Sequence, residues 1–154
     1  MSDDALALGS FPAIAERDEL FGTYKLVSTT RTTLDTGQVV SRNQTGYIIY
    51  DKSGRMIVLV LNGERPNPGC FDKMTDLHRI DLFDSMVAYA GTYRYDGKTI
   101  EHCVDLSWNE MWTGTIQIRD VRREGNMLIS TTRPAPDPFD GRLGFTTLIW
   151  ERVR

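Results

Sequence analysis

Between Thr23 and Val153 this chain is a run of segments that alternate apolar or β-branched residues with polar ones, separated by short turns rich in Gly, Asp and Asn. A period of two is what a strand with one buried face requires. The segments are TYKLVSTTRTT (23–33), GQVVS (37–41), GYIIYD (46–51), RMIVLVLN (55–62), GTYRYD (91–96), TIEHCVDLS (99–107), TGTIQIRDVRR (113–123), NMLISTTR (126–133) and LGFTTLIWERV (143–153). DTG, DKSG, YDGK and REGN supply the residues that hairpin turns demand. Strands joined this tightly predict an antiparallel meander, and closure into an up-and-down barrel of about 8–10 strands removes its exposed edges. A barrel of about eight strands is either filled by its own side chains or holds one small ligand.

Two stretches break the alternation. SFPAIAERDELFG (10–22) predicts a short N-terminal helix, with Ser10 near the cap, Pro12 in the first turn and Gly22 as the stop. Residues 1–10 are expected to be flexible. In DKMTDLHRIDLFDSMVAYA, Leu77, Ile80, Phe83, Met86 and Val87 recur at spacings of three and four, which predicts an inserted amphipathic helix over about 75–89, capped by Asp72 or Thr75. The fold expected is all-β with these two helices, as one domain over 1–154.

Composition narrows the partners. A net charge of −3 attracts neither nucleic acid nor an anionic membrane, and no stretch approaches the roughly 20 apolar residues of a spanning helix. MSDDALALGSFP places two Asp where a secretory leader needs positive charge, so a cytoplasmic location is expected. Cys70 and Cys103 form no disulfide framework or zinc spacing. His78 and His102 lie in different kinds of segment, so no metal is expected. Phosphate-binding loops, dinucleotide fingerprints and nucleophile elbows are absent, and no cofactor is expected either.

GTYKLVS, GYIIYDKSGRMIVLVL, AYAGTYRYDGKTIEH and the closing LIWERV resemble the bacterial and fungal lipocalin-like domain family over about Phe21 to Val153. The resemblance implies an up-and-down barrel around a hydrophobic cavity, and hence a small hydrophobic ligand. It names no reaction, since related barrels include carriers as well as lyases, hydratases and cyclases. Where the family usually has Trp in its first-strand GTW, this chain has Tyr24, which adds a hydroxyl at the closed end.

Alternation also sorts faces. Ile100, His102, Val104 and Leu106 share one face of their strand, and Glu101, Cys103, Asp105 and Ser107 the other. Burying two carboxylates is costly, so the first row is expected inside, with His102 its polar member. The same rule places Tyr24, Leu26 and Ser28, Ile48 and Tyr50, and Tyr93 and Tyr95 inside. TGTIQIRDV is ambiguous: either Ile116 and Ile118 or Thr115, Gln117 and Arg119 face in, and a bulge near Gly114 can invert the choice. The spacing of Trp112, Gly114, Gln117 and Arg119 matches a recurring pattern of the family, which favours Gln117 and Arg119 inside.

A desolvated His102 stays neutral and suits general acid/base work, with Tyr50, Tyr93 or Arg119 stabilising an oxyanion. The competing reading is a core histidine satisfied by a neighbouring hydroxyl. Tyr24, Trp108, Asn109, Trp112 and Gln117 are candidates for substrate contact, as are Arg65, Phe71 and Phe139 on the two Pro-rich loops (62–73 and 133–141). Three functions stay open. One is a cofactor-independent lyase, isomerase or cyclase acting on a small oxygenated, aromatic or polyketide-like compound. The others are a carrier of a hydrophobic metabolite and a filled barrel with a structural role. A homodimer through an edge strand or the 75–89 helix is compatible with the pattern but not required by it.

Overall fold

The computed structural model describes residues 20–153. One antiparallel sheet contains β1 (Gly22–Thr33), β2 (Val39–Arg42), β3 (Gln44–Tyr50), β4 (Arg55–Asn62), β5 (Met86–Tyr95), β6 (Thr99–Ser107), β7 (Ile116–Glu124), β8 (Met127–Thr132), β9 (Ala135–Pro136) and β10 (Leu143–Arg152). From β3 to β8 each strand pairs with the next, β10 pairs with both β8 and β1, and β1 pairs with β3. That pairing closes eight strands into a barrel, with β2 and β9 as additions. β2 lies along the far half of β1, while β9 pairs with the first residues of β10.

The connections are sorted by length. Tight turns at 51–54, 96–98 and 125–126 gather at one end, where β1 begins. The long segments 63–85, 108–115 and 133–142 gather at the other. The short-turn end is plugged: Leu20, Tyr24, Tyr93, Ile100 and Leu128 are each no more than 1% exposed. Tyr24 donates its hydroxyl proton to the Leu20 carbonyl at 2.7 Å and accepts from Arg152 at 2.8 Å. The extra hydroxyl at this end is thereby satisfied, and the plug is intact.

Alternation places Tyr24, Leu26, Ile48, Tyr50, Tyr93, Tyr95, Ile100, His102 and Val104 inside, as expected. Two of the expected inner residues are corrected. A bulge between Leu26 and Ser28 reverses the parity of β1, so Ser28 is exposed and Thr29, Arg31 and Thr33 turn inward. A second bulge, opposite Ala90 and Gly91, does the same to β6 and leaves Leu106 69% exposed. Gly46 and Gly91 allow neighbouring strands to approach closely: a Cβ there would run into the carbonyl oxygen of Leu59 or Cys103.

The inserted helix is shorter than its spacing predicts. Helix α1 spans Asp76–Asp84, and Met86 onward is already β5, paired with β4. Its apolar stripe is not buried either, with Leu77 71% and Ile80 53% exposed. Thr75 caps it, accepting from the His78 N–H while Nδ1 of His78 accepts from the Thr75 N–H. Nearly all of the expected N-terminal helix (10–22), and all of the expected flexible segment (1–10), lie outside the described residues. No helix among the described residues is long and apolar enough to cross a membrane.

Candidate functional site

The barrel encloses a cavity of about 300 Å³ reached from the long-loop end. That is the low end of the range for small-molecule sites, so the interior is not filled by side chains. Its apolar wall comes from Ile48, Val58, Val60, Leu148 and Trp150, the inward residues of β3, β4 and β10.

His102 sits on this wall at 2% exposure with both ring nitrogens engaged. Nε2 is 2.7 Å from the Tyr50 hydroxyl and Nδ1 is 2.7 Å from the Tyr89 hydroxyl. Burial first, and then the nearby charge of Arg119, push the imidazole pKa well below its ordinary value, so the ring is neutral near pH 7. A neutral imidazole has one donor and one acceptor, so one tyrosine donates to it and the other accepts from it. Burial also raises the Tyr50 hydroxyl well above its usual pKa, with the neighbouring Tyr89 adding to the effect. Tyr89 is raised by burial too, but Arg119 opposes this through its charge and a hydrogen bond of 3.4 Å.

Register resolves the ambiguity on β7. Gln117 lies opposite His102 and Arg119 opposite Ile100, so both face in, and Ile116 is 52% exposed. Gln117, Arg119, Trp112, Tyr50 and Phe139 therefore join His102 around the cavity. Rings continue the wall toward the mouth, since Trp112 packs on Tyr89 at 5.5 Å and Trp108 on Trp112 at 5.2 Å.

Other expected site residues lie elsewhere. Tyr24 belongs to the plug. Tyr93 is buried but donates to the Asp51 carbonyl at the short-turn end, away from the cavity lining. Trp108 stacks outside the cavity on Phe83 of α1, at 6.2 Å. The Asn109 side chain accepts from the Met111 N–H and caps a 3-10 turn. Arg65 hydrogen-bonds Ser85 and the Leu82 carbonyl, which ties its loop to the end of α1. Phe71 is 86% exposed. The placements of Asn109 and Arg65 follow from backbone groups they satisfy, which residue type alone does not reveal.

Several cavity residues carry no signal that residue type and alternation alone reveal, Tyr89, Arg31, Arg42 and Asp137 among them. Tyr89 falls at the end of the expected 75–89 helix but belongs to β5, whose MVAYAGTYRY alternates. Arg31 followed the unforeseen bulge inward. Arg42 and Asp137 meet across the mouth, where Arg42 donates to the Asp137 carboxylate and lies 3.5 Å from that of Asp140. Arg31, 5% exposed, is 3.6 Å from Asp137 and donates to the carbonyls of Ala135 and Arg142. Burial works to raise the Asp137 pKa, but the Arg42 hydrogen bond, the Phe139 N–H and the two arginine charges outweigh it and leave the carboxyl below its usual range. These contacts bind the 133–142 loop over the rim, with Arg42 5.4 Å over the Phe139 ring.

The model of the lipocalin-like domain family matches residues 21–153. The chain belongs to that family. A comparison with curated proteins finds no significant match. A lipocalin-like barrel with a walled cavity is suited to binding a small hydrophobic molecule. Among the described residues of this lipocalin-like chain, no three His, Cys, Asp or Glu side chains group as metal ligands would.

Proposed function

We propose that this lipocalin-like barrel binds a small, hydrophobic, oxygenated compound and moves a proton on it without a cofactor, in an isomerase, lyase or cyclase reaction. The observation that carries this reading is the chain Tyr50–His102–Tyr89 on the cavity wall. In one tautomer Tyr89 donates to Nδ1 and Nε2–H donates to Tyr50, whose own proton is free to reach the ligand. In the other the directions are reversed, and the Tyr89 proton is free. A ligand that gives a proton to the Tyr89 oxygen and takes one from Tyr50 converts one tautomer into the other, with no net proton exchanged. His102 thus acts as a relay, and the tyrosine hydroxyls are the groups that touch the ligand. Negative charge developing on the Tyr89 side is favoured by Arg119 beside it.

The test is incubation of the pure protein with a panel of enolisable carbonyl and phenolic compounds in deuterated water, read by mass spectrometry. Catalysis appears as product or as accelerated deuterium uptake, and His102→Ala lowers it by roughly 10²–10⁴-fold while leaving the fold intact. An unchanged rate in that variant would overturn the relay. A carrier function is the second reading, favoured by the full hydrogen-bonding of His102 within the protein. It predicts that ligands are recovered unaltered and that His102→Ala changes affinity alone.

A further inference from the structure

We infer that the natural ligand is an acid taken up as its conjugate base, with its oxyanion on Arg119. This deepens the reading of the cavity as the binding site and rests on it. Among the described residues, four arginines and one aspartate line the cavity, in a protein whose net charge is −3. Three of those cations have carboxylate partners: Arg31 and Arg42 share Asp137, and Arg133 meets Asp120 at 2.9 Å. Arg119 has no carboxylate within salt-bridge distance among the described residues. It gives one hydrogen bond to the Ile118 carbonyl at 3.1 Å and one to Tyr89 at 3.4 Å, out of five N–H groups. The strand register keeps it inside, between Ile100 on β6 and Thr132 on β8.

A half-buried guanidinium without a counter-ion is an unmet electrostatic demand, and its planar fork fits a carboxylate or an enolate-like oxygen pair. The Gln117 amide, two residues nearer the mouth on the same face, can donate a further bond. Its Nε2 already donates to Thr115 Oγ1 at 2.9 Å, which leaves a second N–H. The wall opposite is apolar, so the rest of the molecule is a hydrophobic body. The shared chemistry is an oxyanion on an apolar frame, either a carboxylic acid or an acidic enol or phenol.

Calorimetry with 2-naphthoate and its neutral analogue 2-naphthamide tests this. Wild-type protein at neutral pH should bind the acid at least about tenfold more tightly, as expected for a charge-assisted hydrogen bond, and added salt should weaken only the acid. Arg119→Met, checked for folding by circular dichroism, should bring the two affinities together, whereas Arg119→Lys should keep part of the difference. A parallel titration with 4-nitrophenolate separates the sources: tighter binding than naphthoate points to enols and phenols, weaker binding to carboxylic acids. Equal binding of acid and amide by the wild type, without salt dependence, overturns the acid inference and leaves the pocket reading standing. Binding of none of these probes overturns both.

Discussion

The Tyr50 hydroxyl and Nε2 of His102 meet at 2.7 Å although their strands, β3 and β6, are not neighbours in the sheet. The bond crosses the barrel interior past β4 and β5, where the cavity lining meets the aromatic plug. Tyr50 also packs edge-on against Tyr93, with ring centroids 4.8 Å apart, so the base of the relay rests on the plug. One imidazole thus links the closed end to the ligand space.

Removing either hydroxyl leaves a ring nitrogen of His102 unpaired in a dry site. Tyr50→Phe and Tyr89→Phe should each destabilise the fold by about 1–3 kcal/mol. A double-mutant cycle of Tyr50→Phe with His102→Phe should return a coupling of at least about 0.5 kcal/mol. Urea denaturation measures both, and additive single effects would show that the two side chains are energetically independent.

His102 also gives stability a pH dependence. The folded imidazole has a depressed pKa, so below about pH 6.5 the unfolded chain takes up a proton that the folded one refuses. Its stabilising contribution is complete above that pH and declines as pH falls toward the folded-state pKa. The urea midpoint should therefore drop between about pH 7 and pH 5. His102→Asn should flatten that drop whatever its absolute stability, and an unchanged slope would assign the effect to other groups.

The mouth loop depends on Asp137. Its carboxyl is held below the usual range, so the contribution is present above about pH 4 and is lost as pH falls through the folded-state value. Asp137→Asn leaves Arg31 without its carboxylate partner and should cost on the order of 3 kcal/mol. Limited trypsin digestion should then cut after Arg142, the arginine of the 133–142 loop not followed by proline, faster than in the wild type. Protection equal to that of the wild type would mean the carbonyl bonds of Arg31 hold the loop alone.

Close strand approach at Gly91 and Gly46 predicts intolerance of any side chain. Gly91→Ala or Gly46→Ala should destabilise by about 1–3 kcal/mol or more, because the obstacle is backbone and cannot swing aside. Gly97→Ala is a contrasting control, in open space but at positive φ, and should cost about 1 kcal/mol through backbone strain alone. Thermal melts of the three variants check the order.

Alternation and turn chemistry determined the antiparallel all-β meander and the inward facing of Tyr50 and His102, and helix signals narrowed the cap to Asp72 or Thr75, because each depends on a few consecutive residues. Tertiary pairing decided the rest. Two bulges turned Ser28 and Leu106 outward and brought Arg31 inward, and a bulge is a mismatch between paired strands that one strand's sequence does not record. Met86 to Tyr89 fit a helical spacing as well as an alternating one, and pairing with β4 on one side made them strand and gave His102 its second partner. Gln117 and Arg119 stayed ambiguous until their register against β6 put them beside His102. The Arg42–Asp137 latch joins residues 95 positions apart, and only closure of the barrel brings such distant charges to one rim.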